Sequence, residues 1–171
     1  MTLQPEQALL LLNMALPSLE REQQTTLRVI EAVPADKASY QPDPNSMSAF
    51  DLCWHIVSAE NLFLKGVAEG AFDFTPTDKA KTMPELLTFY KETFAKNVAA
   101  IKSLSGEQLA KQIDFRGVMQ LPAVSFLTFN MHHIVHHRGQ LSVYLRPMGG
   151  KVPSIYGESY DSKAARMAAQ G

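Results

Sequence analysis

The stretch from Leu121 to Arg146 reads LPAVSFLTFNMHHIVHHRGQLSVYLR, and it indicates the fold more clearly than any other part of the chain. Its apolar residues recur every three or four positions, which is typical of an amphipathic α-helix. Pro122 lies in the expected first turn, and Pro147 follows the last one. We therefore predict a single helix over residues 121–146, about 39 Å long at ~1.5 Å per residue.

Four of the five histidines lie in this stretch, in two pairs spaced four residues apart: His132 with His136, and His133 with His137. Residues four apart on a helix point about 40° from each other, so either pair has the spacing to hold one metal ion. His133 and His137 fall in the apolar stripe, whereas the other two lie about 100° round the helix. We predict that His133 and His137 point inward, and that His132 and His136 are exposed or lie near a subunit contact.

Three more long amphipathic helices are predicted upstream. The first covers residues 5–32, and Pro17 is expected to kink or divide it. The second begins after Ser48, a good N-cap residue, and runs to Gly70. The third opens at Thr82-Met83-Pro84-Glu85, which has the pattern of a capping box with proline in the first turn.

The remaining segments are connections. Residues 113–120 are predicted to be extended, and a short helix is predicted over residues 161–169. A chain of 171 residues fits one domain, which we place over residues 1–171. Four long amphipathic helices with few strand signals predict an all-α four-helix bundle with long connections.

Composition argues against several classes of protein. The net charge is −1 and the basic residues are scattered, which does not favour nucleic-acid binding. The single cysteine, Cys53, excludes an intramolecular disulfide and favours a reducing compartment. The apolar run at residues 8–12 has no basic residue before it and is interrupted by Asn13 and Pro17, unlike a signal peptide or a membrane span. We therefore expect a cytoplasmic protein.

The remaining histidine, His55, completes a candidate metal site. Two imidazoles leave most divalent ions under-ligated, and His55 lies on the face of the second helix that we predict to be inward. Buried imidazoles without a shared partner would lose hydration for no gain, which weighs against a purely structural role for the histidine pair. We predict a divalent ion bound by His55, His133 and His137. Imidazole suits zinc, nickel, copper and iron alike.

The chain resembles the DinB-like (DinB/YfiT) superfamily over nearly its whole length. The resemblance rests on His133-x-x-x-His137-Arg138-Gly139-Gln140, on Tyr144-Leu145-Arg146, on Gly149 to Gly157, and on Pro42 to Ser48 followed by His55 and Glu60. It implies a four-helix bundle, usually homodimeric, in which three histidines hold a divalent ion, often zinc or nickel. These ligands fall on His55, His133 and His137. Two departures, Met47 in place of a frequent tryptophan and Pro17 in the first helix, concern the pocket mouth rather than the histidines.

The function stays open between four alternatives. The resemblance implies two of them: some members look like transferases that activate a low-molecular-weight thiol, such as bacillithiol or mycothiol, at the metal and transfer it to a small-molecule substrate, and others are metal-binding, stress-associated proteins without known catalysis. Metal-bound hydroxide would give a hydrolase instead. The fourth alternative is a plain structural bundle in which the histidines hold no metal. No catalytic or cofactor-binding residue beyond the three histidines is assigned from the sequence.

Other polar residues receive structural roles. Cys53 lies about 160° from His55 on the second helix and is expected to be a small buried residue. Glu60 lies about 140° from His55, so it is not predicted as a ligand, and it is expected to pair with Arg138 or Arg21. Gln140 shares the face of His137 and has either a packing role or a contact with a metal-bound water.

A homodimer is the expected assembly. Besides the resemblance, the flanks of the predicted fourth long helix carry a surplus of apolar residues around Val124, Phe129 and Val143. A symmetric contact that uses such flanks is the commonest kind of oligomer.

Overall fold

Four long helices form the body of the protein. The computed structural model describes residues 3–170. Its elements are α1 (Pro5–Glu31), α2 (Ala49–Glu69), α3 (Met83–Lys102), α4 (Gly106–Ala110), β1 (Gln112–Phe115), β2 (Met119–Pro122), α5 (Ser125–Leu145) and α6 (Tyr160–Ala168). Helix α2 packs against α3 and α5, and α5 also packs against α1. The predicted all-α bundle is confirmed, with a small two-stranded sheet added.

The helix ends follow from local sequence. The Ser48 hydroxyl accepts a hydrogen bond from the backbone three residues on, and Gly70 ends α2 in the left-handed conformation with φ 67°. The Thr82 hydroxyl caps α3 by accepting from Glu85 N at 3.3 Å. The Glu85 carboxylate accepts from Lys81 N rather than from Thr82, so the predicted capping box is only half formed.

Helix α1 is unbroken, so of the two alternatives predicted for Pro17, a kink or a division of the helix, the division is excluded. A proline inside a helix removes one backbone hydrogen bond, to the carbonyl four residues earlier. Both Pro17 and Asn13 are exposed, so the Asn13 carbonyl that loses its helical partner is open to water. The cost is therefore small enough for the helix to continue.

The fourth long helix begins later than predicted. Leu121 and Pro122 end strand β2, in which Pro122 is opposite Gln112 of β1, and α5 starts at Ser125. Proline suits the end of an edge strand as well as the first turn of a helix, so the local sequence did not separate the two. The predicted extended segment at 113–120 is confirmed as most of this hairpin.

The core consists of two apolar clusters with buried polar residues between them. In α1, α2 and α5, a buried polar side chain lies between the part of the helix that enters one cluster and the part that enters the other. These side chains are Gln23, Thr26, Glu60 and Asn130. Together these four side chains form a polar layer between the two apolar clusters.

Within residues 3–170, none of the helices combines the length and apolarity needed to cross a lipid bilayer.

Candidate metal centre

Three histidines from two helices converge at one point. Helix α2 supplies His55, and α5 supplies His133 and His137. The Nε2 atom of His55 is 3.1 Å from Nε2 of His133 and 3.1 Å from Nε2 of His137. Within the described part of the chain, this is the one place where three side chains of metal-ligating type bring ligand atoms within 4.8 Å of one another. The structure thus brings together the three residues that the sequence singled out.

The spacing of these nitrogens fits a shared ion. Zinc–nitrogen bonds of ~2.0–2.1 Å at tetrahedral angles would set ligand nitrogens about 3.3 Å apart. The observed 3.1 Å lies close to that value. Three imidazoles would leave at least one coordination position open, as in catalytic rather than structural zinc sites.

The histidines lie at the seam between α2 and α5, partly inward and partly exposed, so the prediction that they point into the bundle holds only in part. All three are half-buried. The buried face of α5 is formed by Phe126, Leu127, Asn130, Ile134, Arg138, Leu141, Tyr144 and Leu145. Because α5 packs against α1 as well as α2, its buried arc is centred away from the histidines, which lie along the border that faces α2.

The surroundings keep these imidazoles neutral at pH 7. Burial, followed by the charges of His137 and His55, lowers the pKa of His133 to about 4. Burial and the charge of His137 lower the pKa of His55. Burial also lowers the pKa of His137, while the hydrogen bond that His137 donates to Gln140 opposes the shift. Neutral imidazole is the form that binds metal, so the three rings are in the ligand state.

Gln140 fixes the orientation of His137. Its Oε1 lies 3.2 Å from His137 Nδ1, and its Nε2 donates to the Tyr144 hydroxyl at 3.4 Å. A carboxamide oxygen only accepts, so His137 Nδ1 carries the proton and the lone pair of Nε2 points at the cluster. Of the two roles considered for Gln140, contact with a metal-bound water and packing, the structure favours neither and gives it this positioning role instead.

The residue after His137 anchors α5 to α1. Arg138 is buried, and its Nη1 donates to Glu22 Oε2 at 2.6 Å and to Thr26 Oγ1 at 3.3 Å. Its Nη2 donates to the Tyr156 hydroxyl at 2.6 Å, which ties in the C-terminal segment. The carboxylate partner of Arg138 is therefore Glu22, and the expectation that Glu60 fills this role is wrong.

Glu60 lies outside the histidine cluster, as predicted, but deep in the polar layer. It is 1% exposed, and its Oε1 accepts from Asn130 Nδ2 at 3.4 Å. Burial raises its pKa to about 7, although the nearby Tyr90 hydroxyl and the hydrogen bond from Asn130 oppose the shift.

The other candidates also have defined positions. Cys53 is fully buried, as expected, and burial raises its pKa to about 12, so it is not a nucleophile near neutral pH. His132 and His136 are exposed, as predicted. Val124 is 2% exposed and belongs to the core, so its assignment to a dimer-forming flank is wrong.

An open cleft adjoins one of the three histidines, His55. Its volume is about 370 Å³, and it runs along the outer face of α2 beneath the loop at residues 73–77 and the tip of the hairpin. His55 and Trp54 line it from α2, Phe74 from the loop, and Arg116 from the hairpin turn. No local pattern indicated Phe74 or Arg116, because only the tertiary structure brings these two loops over α2.

An aromatic cluster holds those loops in place. Its members are Phe63, Phe72, Phe74, Phe115, Phe126 and Phe129. Phe72 joins the loop to α5 through Phe126, at a ring-centroid distance of 4.8 Å. Phe63 lies 6.0 Å from the His133 ring, so the cluster extends to the edge of the candidate metal centre.

Known proteins resemble this chain in sequence. The sequence profile of the DinB family matches residues 9–169. The Bacillus subtilis (strain 168) protein YjoA, described as uncharacterized, is 32% identical over 126 residues, which span 72% of this chain and 82% of YjoA. YrdA from the same organism, also described as uncharacterized, is 27% identical over 156 residues, which span 87% of this chain and 90% of YrdA.

Solved structures of DinB-like proteins have a similar fold. The crystal structure of YjoA, a DinB-like protein from Bacillus subtilis, superposes with a TM-score of 0.71 at 28% identity, covering 85% of this chain and 99% of that one. A DinB-like protein from Bacillus cereus ATCC 10987 superposes with a TM-score of 0.72 at 25% identity, covering 83% of this chain and 95% of that one. Shared sequence over most of the chain, a shared helical fold and the histidine pattern on α2 and α5 lead to one conclusion: the chain belongs to the DinB family.

Proposed function

We propose that this protein binds a divalent ion, zinc or nickel, through His55, His133 and His137, and that it is a transferase that activates a low-molecular-weight thiol there. The observation that carries the proposal is the convergence of three neutral Nε2 atoms, one of them on His55, which lines an open cleft. A cluster of this kind has little structural value by itself, because unshared imidazoles lose hydration on burial.

The chain's own residues favour a nucleophile that comes from outside. The one cysteine, Cys53, is buried away from the cleft with a raised pKa. Three neutral ligands leave the positive charge of a divalent ion uncompensated, so the centre attracts an anion. A bound divalent ion would be a Lewis acid, which lowers the pKa of a coordinated thiol. A reducing cytoplasm, which the lone free cysteine favours, would supply such a thiol.

The protein residues contribute position rather than proton transfer. Gln140 keeps His137 in the tautomer whose Nε2 faces the cluster. His55 lines the cleft, so a substrate held there lies next to the ligand set. The apolar walls formed by Trp54 and Phe74 exclude water from part of that space.

Metal content tests the first half of the proposal. Protein purified without a nickel column should contain about one zinc or nickel ion per chain by elemental analysis, because each chain has one three-histidine site. Single changes His55→Ala, His133→Ala and His137→Ala should each abolish binding. The matched controls His132→Ala and His136→Ala, on the exposed face of α5, should retain it. Retention in His133→Ala with loss in His132→Ala would overturn the ligand assignment.

Turnover tests the second half. Zinc-loaded protein is offered a bimane electrophile with bacillithiol, mycothiol, glutathione or coenzyme A. Turnover with one thiol that is lost in His137→Ala and kept in His136→Ala supports the transferase. Metal-dependent ester or amide cleavage without thiol turnover would replace it with a hydrolase. Inactivity in both assays would leave a non-catalytic metal-binding protein.

A further inference from the structure

We propose that the cleft beside the three histidines binds a small organic anion with an apolar body, and that Arg116 is the residue that recognises its carboxylate or phosphate group. The inference rests on the proposed function, because it names the class of substrate that would lie against the metal centre.

The backbone of Arg116 is in an unusual conformation. Its φ is 57°, and among the described residues it is the one non-glycine with positive φ. The next residue, Gly117, has φ 68°, and Val118 N donates to Phe115 O at 3.0 Å, so a tight turn closes the hairpin. In the left-handed region the β-carbon of arginine crowds its own backbone, a strain that glycine would avoid. A hairpin turn with positive φ at both central positions usually has Asn-Gly or Gly-Gly there, so arginine stands here at a cost in backbone strain.

The Arg116 guanidinium is free to bind a ligand. It is exposed and lies 4.4 Å from the centroid of the Phe74 ring. Within residues 3–170 it makes no side-chain hydrogen bond and no ion pair. A planar guanidinium donates two parallel hydrogen bonds to a carboxylate or phosphate, which gives both affinity and orientation.

The second cation of the cleft is already paired. Lys65 Nζ lies 3.3 Å from Asp73 Oδ2 and 3.9 Å from Glu69 Oε2. Of the charged residues that line the cleft, Lys65 is therefore neutralised by Asp73 and by Glu69, which lies outside the lining. The unpaired charge is that of Arg116, which an anionic ligand would neutralise.

The rest of the cleft suits an apolar body. Trp54, Leu62 and Phe74 supply apolar surface, and Ser58 and Asn61 supply polar groups between them. A volume of about 370 Å³ accommodates a small ligand. Because His55 and Arg116 both line the cleft, a ligand that fills it would lie against one of the three histidines and within the same cavity as the guanidinium.

Trp54 provides a direct measurement, because it is the only tryptophan in the chain and it lines the cleft. Its fluorescence is followed while 3-phenylpropionate, benzyl phosphate or the uncharged 3-phenylpropionamide is added. Trp54 is excited at a wavelength at which the phenyl groups of these ligands do not absorb. Each titration is run on metal-free and on zinc-loaded protein. We expect at least one of the two anions to bind more tightly than the amide in both forms. The preferred anion identifies the headgroup as carboxylate or phosphate.

Variants at the turn decide the role of Arg116. Arg116→Gln should lower the affinity for the preferred anion by about tenfold or more, which is the loss typical of a charge-assisted hydrogen bond. The affinity for the amide should not change. Arg28→Gln, at an exposed arginine of α1 outside the cleft, is the matched control and should change neither. Arg116→Gly should lose the same affinity while raising the thermal midpoint, because it relieves the left-handed strain.

Three results would overturn the inference: equal binding of anions and amide, unchanged anion affinity in Arg116→Gln, or a lower thermal midpoint in Arg116→Gly. The last would make the arginine structural. Because the metal-free titration does not need the ion, a failed metal assay would leave this result intact, and a failed titration would leave the metal assay intact.

Discussion

Glu60 is a buried carboxyl group whose ionisation near neutral pH lowers the free energy of unfolding. Burial raises its pKa from 4.5 to about 7, and Tyr90, Asn130 and the charge of Arg138 offset only part of that shift. A carboxyl whose pKa is raised in the folded state stabilises the protein below the unfolded pKa. That contribution is lost as the pH rises from about 4.5 through about 7. The three histidines act in the opposite direction, because their pKa values are lowered.

Replacing Glu60 with glutamine should isolate this contribution. The amide keeps the acceptor for Asn130 and cannot ionise. From pH 5 to pH 8, the free energy of unfolding of the parent protein should fall by about 2 kcal/mol relative to Glu60→Gln. Urea denaturation at a series of pH values measures the difference. Glu92→Gln, at an exposed position of α3, serves as control and should run parallel to the parent. A parallel course for Glu60→Gln as well would mean that Glu60 ionises freely in the folded protein.

At the scale of elements, the loop after α2 packs back against α2 at Gly66, where the helix has no side chain. A β-carbon added at Gly66 would lie 2.4 Å from Cδ1 of Phe72. Phe72 is held in turn by Phe115 and Phe126, at centroid distances of 5.1 and 4.8 Å. The absence of a side chain at residue 66 therefore lets the aromatic cluster seat the loop that forms one wall of the cleft.

Gly66→Ala should destabilise the protein although alanine favours helix. The Phe72 ring must move within its cluster, so we expect a loss of about 1–3 kcal/mol in unfolding free energy. Gly139→Ala is the matched comparison, because Gly139 lies inside α5 with nothing within 4 Å of the added carbon. That change should stabilise by roughly 0.5–1 kcal/mol through helix propensity. Urea denaturation of both variants measures the difference, and equal effects would show that Phe72 moves aside without cost.

At the scale of the whole molecule, α5 retains an exposed face that the bundle does not cover. Val143 is 72% exposed and Phe129 is 38% exposed, and His132, His136 and Gly139 are also exposed. With Val124 in the core, the apolar part of this face is smaller than the sequence indicated. A second exposed apolar surface lies at the start of α1, where Leu10 is 60% and Met14 is 67% exposed.

We predict a homodimer that uses the exposed face of α5. Light scattering at micromolar concentration should give twice the 19.0 kDa of one chain, about 38 kDa. Val143→Lys should shift the mass toward 19.0 kDa, because a symmetric contact buries the introduced charge twice. Met14→Lys, at the surface of α1, should leave the dimer intact. A dimer disrupted by Met14→Lys alone would place the contact on α1, and a monomeric parent protein would exclude the dimer.

Local patterns in the sequence determined the helices and the identity of the histidines. Ser48 and Thr82 were correctly identified as caps because a cap depends on the residues within one helical turn. The His133–His137 pair was identified because four-residue spacing on a helix follows from backbone geometry alone. The exposure of His132 and His136 followed in the same way.

The tertiary structure decided everything that depends on which surfaces meet. The histidines lie on a surface seam because α5 packs against two helices, and a single helix pattern does not show where its buried arc is centred. Arg138 pairs with Glu22 of α1, a partner 116 positions away that no local spacing indicates. Pro122 ends a strand because β1 is available to pair with it. The cleft exists because an aromatic cluster brings Phe74 and Arg116, from two separate loops, over α2. Backbone geometry depends on interactions within a few residues, so the local sequence determines it. The direction of packing and the choice of distant partners depend on the folded chain as a whole.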